Sequence, residues 1–103
     1  MDEDSDKLGG NIELSGFKDI DSSSMIVVKK IVDNHAKRIA ELANKLSVVH
    51  ITLKPVHVKE KSEKYEIHAK VVDDGKVYAS DITERNLFVA IDEVLKKIVN
   101  EMD

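Results

Sequence analysis

A chain of 103 residues can bury about 60% of the surface its unfolded form exposes, enough for one hydrophobic core and too little for two. It contains no cysteine, which excludes disulfides, thiolate metal sites and a cysteine nucleophile. The net charge of −4 is unevenly spread: residues 1–21 hold seven carboxylates against two lysines, whereas residues 22–103 are close to balanced with one extra cation.

Residues 1–10 are acidic, almost without apolar side chains, and end on Gly9-Gly10, so they are predicted to be a flexible tail preceding a single domain over 11–103. Met1-Asp2-Glu3-Asp4 is acidic where a secretory signal is basic, and no long apolar run follows. A cytoplasmic location without membrane contact is the expectation. From Asn11 to Phe17 polar and apolar residues alternate, putting Ile12 and Leu14 on one face of a short strand that stops at Gly16.

Asp21-Ser22-Ser23-Ser24 supplies helix caps, because a short side-chain oxygen accepts from the orphan amides of a first turn. Through residues 24–46, Val28, Ile31, Val32, His35, Ile39, Leu42, Ala43 and Leu46 recur in steps of three and four, which predicts a helix with one buried stripe. The same span carries Lys29, Lys30, Lys37, Arg38 and Lys45 against only Asp33 and Glu41. That is the most cationic stretch of the chain.

From Val48 the period changes to two. Val49, Ile51 and Leu53 face one way and His50, Thr52 and Lys54 the other. Pro55 cannot donate to a ladder, so this part of the strand is expected on an edge or at a bulge, which would re-aim His57. The charged residues 59–64 read as a hairpin loop, and Tyr65, Ile67, Ala69 and Val71 alternate with Glu66, His68 and Lys70 in the next strand. Asp73-Asp74-Gly75-Lys76 signals a tight turn. A strand over 77–82 follows. After the caps in Thr83-Glu84-Arg85-Asn86, the residues Leu87, Phe88, Ile91, Val94, Leu95, Ile98 and Met102 mark a second amphipathic helix.

The predicted order is therefore β-α-β-β-β-α. A half-exposed, mostly antiparallel sheet of four strands with two helices packed on its apolar face gives an α+β, two-layer sandwich.

That order and spacing resemble the ribosome hibernation-promoting and ribosome-associated translation inhibitor family in its short form. The likeness rests on Asn11-Ile12-Glu13-Leu14-Ser15-Gly16; on Ala40-Glu41-Leu42 through Val49-His50-Ile51-Thr52-Leu53-Lys54; and on Asn86-Leu87-Phe88-Val89-Ala90-Ile91-Asp92 opening the last helix. It covers about residues 11–102. The resemblance implies a protein that acts by occupancy, with basic side chains of both helices contacting small-subunit ribosomal RNA where messenger and transfer RNA pass. By position the contacts would be Lys29, Lys30, Lys37, Arg38 and Lys45 on the first helix, and Arg85, Lys96 and Lys97 on the second. Asp92, Glu93 and Glu101 depart from the family pattern by diluting the charge of the second helix, and with the sequence running to Asp103 a role like that of short members, without the C-terminal domain of long ones, is the expectation.

Plainer readings stand beside this one. A charged helix face is usually a solvated face. His35 falls in an apolar stripe and reads as a packed, hydrogen-bonded residue; with His50, His57 and His68 it forms no HxH or HExxH spacing, so no metal is expected. Asp73 and Asp74 are accounted for by the turn, and Asp92 and Glu93 have no partner that sequence can assign, so no catalytic set, cofactor or small-molecule substrate is expected. Gly9-Gly10 and Gly75 do not open helices and form no phosphate loop. Tyr65 and Tyr78 read as packing residues rather than base-stacking platforms. The alternative function is a non-ribosomal interaction module that forms a homodimer through an exposed sheet edge.

Overall fold

The computed structural model describes residues 5–8, 11–57 and 63–103. The chain forms β1 (Ser5–Leu8), β2 (Ile12–Ser15), α1 (Ser22–Leu42), β3 (Leu46–His57), β4 (Glu63–Asp73), β5 (Lys76–Glu84) and α2 (Leu87–Met102). The fold is the expected α+β two-layer sandwich, with one more strand than expected. The sheet order is β1-β2-β3-β4-β5; β2 and β3 run parallel and every other pair is antiparallel. Parallel neighbours need a crossover, and α1 supplies it.

The additional strand lies within the span whose composition predicts a flexible tail. Ser5–Leu8 pairs with β2 from Ser5↔Ser15 to Leu8↔Ile12. Its sequence carries no apolar alternation. Residues 1–4 and 9–10 lie outside the described residues, as does most of the expected 59–64 hairpin loop.

The core fills the space between one sheet face and the two helices. Ile12 and Leu14 from β2, Val49, Ile51 and Leu53 from β3, and Ile67, Ala69 and Val71 from β4 meet Val28, Val32, Ala36 and Ile39 of α1. From α2 come Leu87, Ala90, Ile91, Val94, Leu95 and Ile98. Period-two and period-3.6 residues thus converge on one layer.

α1 is shorter than its apolar pattern suggests. Asp21 caps its start: one carboxylate oxygen accepts from the Ser24 amide at 3.0 Å and the other from the Ser24 hydroxyl at 2.8 Å. Those bonds, the amide's first, hold the Asp21 carboxyl below its usual value. The helix ends at Leu42 because Ala43 turns extended, ψ 148°, and the next two amides belong to another element. Asn44 donates to the Asp73 carboxylate at 3.0 and 3.1 Å, and Lys45 donates to it at 2.6 Å. Leu46, which the apolar stripe would make helical, is consequently the first residue of β3.

Pro55 lies on β3, which is central in the sheet, yet β2 stops pairing at Ser15↔Thr52. Beyond that point β3 has a partner, among the described residues, only in β4, so Pro55 occupies a local edge, where its missing N–H leaves no ladder bond unmade. The one register irregularity of β3 falls between Leu46 and Val48, not at the proline. The Asp74-Gly75 turn has positive φ at both residues, 52° and 83°, as a two-residue hairpin of right-handed strands requires.

Candidate nucleic-acid interface

The helix layer is the surface on which the sequence puts most of its candidate contacts. α1 and α2 lie side by side and run in the same direction: Asp21 and Ser24 line a shared concavity with Asn86 and Leu87 near their starts, His35 meets Asp92 midway, and Arg38 reaches Asp103 past the end of α2. Their outward surfaces therefore form one ridged layer above the core.

Lys30 and Lys37 are seven residues apart, two helical turns, and both are exposed on the α1 face opposite the Val32 and Ile39 stripe. Their side-chain origins are stacked about 10 Å apart along the helix. Lys30 makes no ion pair among the described residues. Lys37 contacts Asp33 at 3.7 Å one turn earlier. Arg38, on the flank toward α2, contacts Glu41 at 3.2 Å and Asp103 at 3.7 Å. Lys29 is half-buried on the same helix.

On α2, Lys96 contacts Asp92 at 3.5 Å from the flank facing α1. Lys97 points the other way, its Nζ donating to the Asp81 carbonyl of β5 at 3.3 Å. Two candidates sit off the helices to which the sequence pattern assigns them. Lys45 belongs to the α1–β3 connection, because its amide is held by Asp73. Arg85 precedes the Asn86 cap of α2, whose side-chain oxygen accepts from Val89 at 3.1 Å. Within its true bounds α1 carries four cations against Asp33 and Glu41, a net +2 rather than the +3 obtained when Lys45 is counted with it, and α2 carries a net −1.

The ion pairs on this layer are open to water. The paired side chains of Lys37, Asp33, Arg38, Glu41, Lys96 and Asp92 retain between 43 and 73% of their accessible surface. Pairs of that kind contribute about 0–1 kcal/mol each, so a phosphate can replace the carboxylate at little cost.

Beneath them lies a more sheltered contact. His35, whose side chain is 18% exposed, bonds through Nε2 to an Asp92 carboxylate oxygen at 2.7 Å, joining α1 to α2. This is the hydrogen-bonded role the apolar stripe predicts for His35, and it supplies the partner of Asp92 that sequence could not assign. The His35 bond, with a smaller contribution from Lys96, lowers the Asp92 carboxyl against the opposing effect of burial.

The other sheet face is polar. His50 bonds Ser15 at 2.8 Å, and His68 bonds Glu66. A shallow concavity of about 370 Å³ opens there among His50, Thr52, His68, Lys70, Ser80 and Asp81. Tyr65 and Tyr78 pack against the core instead and present no stacking platform on this face. Among the described residues no three His, Asp or Glu side chains converge as metal ligands, and no helix is long and apolar enough to cross a membrane.

No family model matches this chain, and no curated protein matches it.

Proposed function

We propose that this protein is a ribosome-associated translation inhibitor of the hibernation-promoting kind, held on small-subunit ribosomal RNA by the helix layer and blocking the path of messenger and transfer RNA. The observation that carries the reading is the pairing of Lys30 and Lys37 on the outward face of α1, flanked by Arg38 and Lys96 in solvent-exposed ion pairs. Cations in such pairs exchange a carboxylate for a phosphate oxygen, and displacement of counterions from the RNA then favours the complex. With the β-α-β-β-β-α order of the domain, this supports the family likeness of residues 11–102.

Inhibition by this route is steric. A rigid two-layer body needs no cofactor, no small-molecule substrate and no catalytic group, and it acts in the cytoplasm, where ribosomes are. Phosphate contacts fix position and carry no base readout, which suits a protein with two Tyr, two Phe and no Trp. The carboxylates Asp33, Glu41, Asp92 and Asp103 bordering the cations restrict binding to RNA surfaces that place phosphates beside Lys30 and Lys37.

Co-sedimentation with purified small subunits tests this reading. Wild-type protein pellets with the subunits, and the triple variant Lys30→Glu, Lys37→Glu, Arg38→Glu stays in the supernatant. Equal pelleting of the two proteins would remove α1 from the interface.

A further inference from the structure

The sheet ends on β5, and nothing among the described residues pairs with its outer side. This edge is long and regular. Its register with β4 runs without interruption from Tyr65↔Glu84 to Asp73↔Lys76, and its nine residues include neither a proline nor a bulge. Edges of that kind are normally blunted, because their free N–H and C=O groups template another strand.

The turn determines which groups are free. A two-residue hairpin closes on a residue pair that exchanges both backbone bonds, here Asp73 and Lys76. Alternation then directs the backbone groups of Lys76, Tyr78, Ser80, Ile82 and Glu84 toward β4, and those of Val77, Ala79, Asp81 and Thr83 toward the open edge. The bond from Lys97 Nζ to the Asp81 carbonyl, at 3.3 Å, agrees with this parity.

We infer that β5 pairs antiparallel with β5 of a second copy of this chain, about a twofold axis at Ser80. Three registers keep outward groups opposite outward groups near the middle of the strand. Centring on Asp81 sets two carboxylates directly against each other. Centring on Ala79 puts Lys76 opposite Ile82 and leaves Glu84 without a counter-charge. Centring on Ser80 puts Lys76 opposite Glu84 and Tyr78 opposite Ile82 on the core side. On the polar side it sets Val77, which is 56% exposed, opposite Thr83, and Ala79 opposite Asp81. Opposed charges and aromatic–aliphatic neighbours are the favourable cross-strand pairs. In this register Val77, Ala79, Asp81 and Thr83 all exchange backbone bonds with the second copy, and the Ala79 amide replaces Lys97 at the Asp81 carbonyl. Because core-side residues face core-side residues, both helix layers lie on the same side of one continuous sheet. The cations of α1 stay open.

Sedimentation equilibrium on the full chain, from micromolar to millimolar protein, tests the pairing. Wild type is expected to show a reversible monomer–dimer equilibrium. Ala79→Pro deletes an outward amide and leaves every β4–β5 bond in place, so it keeps wild-type circular dichroism while the dimer weakens about tenfold or more. Lys76→Glu weakens the dimer by opposing two carboxylates, and adding Glu84→Lys restores it. A monomer at every concentration, a dimer indifferent to Ala79→Pro, or a charge exchange that fails to restore would each overturn the inference.

Discussion

Gly16 leaves β2 with φ 84°, and a Cβ built on it would stand 2.2 Å from the Leu53 carbonyl oxygen. Backbone, not a flexible side chain, occupies that space, so Gly16→Ala must both strain the residue and separate β2 from β3. A loss of about 2–3 kcal/mol in urea unfolding is expected; an unchanged midpoint would show that the junction yields freely. Asp73 is the counterpart at the other end of the domain. Its carboxylate takes the amides of Asn44 and Lys45, and Asp73→Ala leaves both without an acceptor, a cost of about 2–3 kcal/mol by the same measurement. Asp73→Asn keeps one neutral acceptor and loses less. Sequence identifies both residues but only half of their work. That a strand stops at Gly16 and that Asp73 opens a turn are local facts; the approach of Leu53 and the hold on Asn44 join residues 37 and 29 positions apart, which no local pattern encodes.

At the scale of elements, the two helices are joined by His35 and Asp92. The Asp92 carboxyl is lowered in the folded protein, chiefly by the His35 bond. A carboxyl lowered on folding adds stability above its unfolded value, and that contribution disappears as pH falls through the folded value. The difference in urea midpoint between wild type and Asp92→Asn is therefore expected to shrink as pH falls below about 4. A difference that persists undiminished at pH 2 would place the contribution elsewhere. Both helices and the strands β2 to β5 are legible in the sequence, since Val28, Val32 and Ile39, or Val49, Ile51 and Leu53, repeat at the period of the element they build. β1 is not legible, because Ser5–Leu8 carries no apolar alternation in the sequence. The end of α1 is misread for a related reason: Leu46 continues the helical stripe, and only the long-range hold of Asp73 on the Asn44 and Lys45 amides ends the helix before it.

At the scale of the whole molecule, a chain of net charge −4 contains a helix, α1, of net charge +2. The cations themselves are readable from sequence. Their neutralisers are only partly so: Asp33 to Lys37 and Asp92 to Lys96 follow helical spacing, whereas Asp103 reaches Arg38 through the side-by-side placement of the helices. Lys45 and Arg85 could not be located correctly, because element boundaries decide their places. The account depends on exchange of these exposed ion pairs for ribosomal phosphates, and the most direct test is the salt dependence of binding to purified small subunits. Log affinity should fall linearly with log salt, by about 0.7–0.9 per phosphate contact, with a slope that flattens in the Lys30→Glu, Lys37→Glu, Arg38→Glu variant. Affinity independent of salt, or the same slope in wild type and variant, would contradict it.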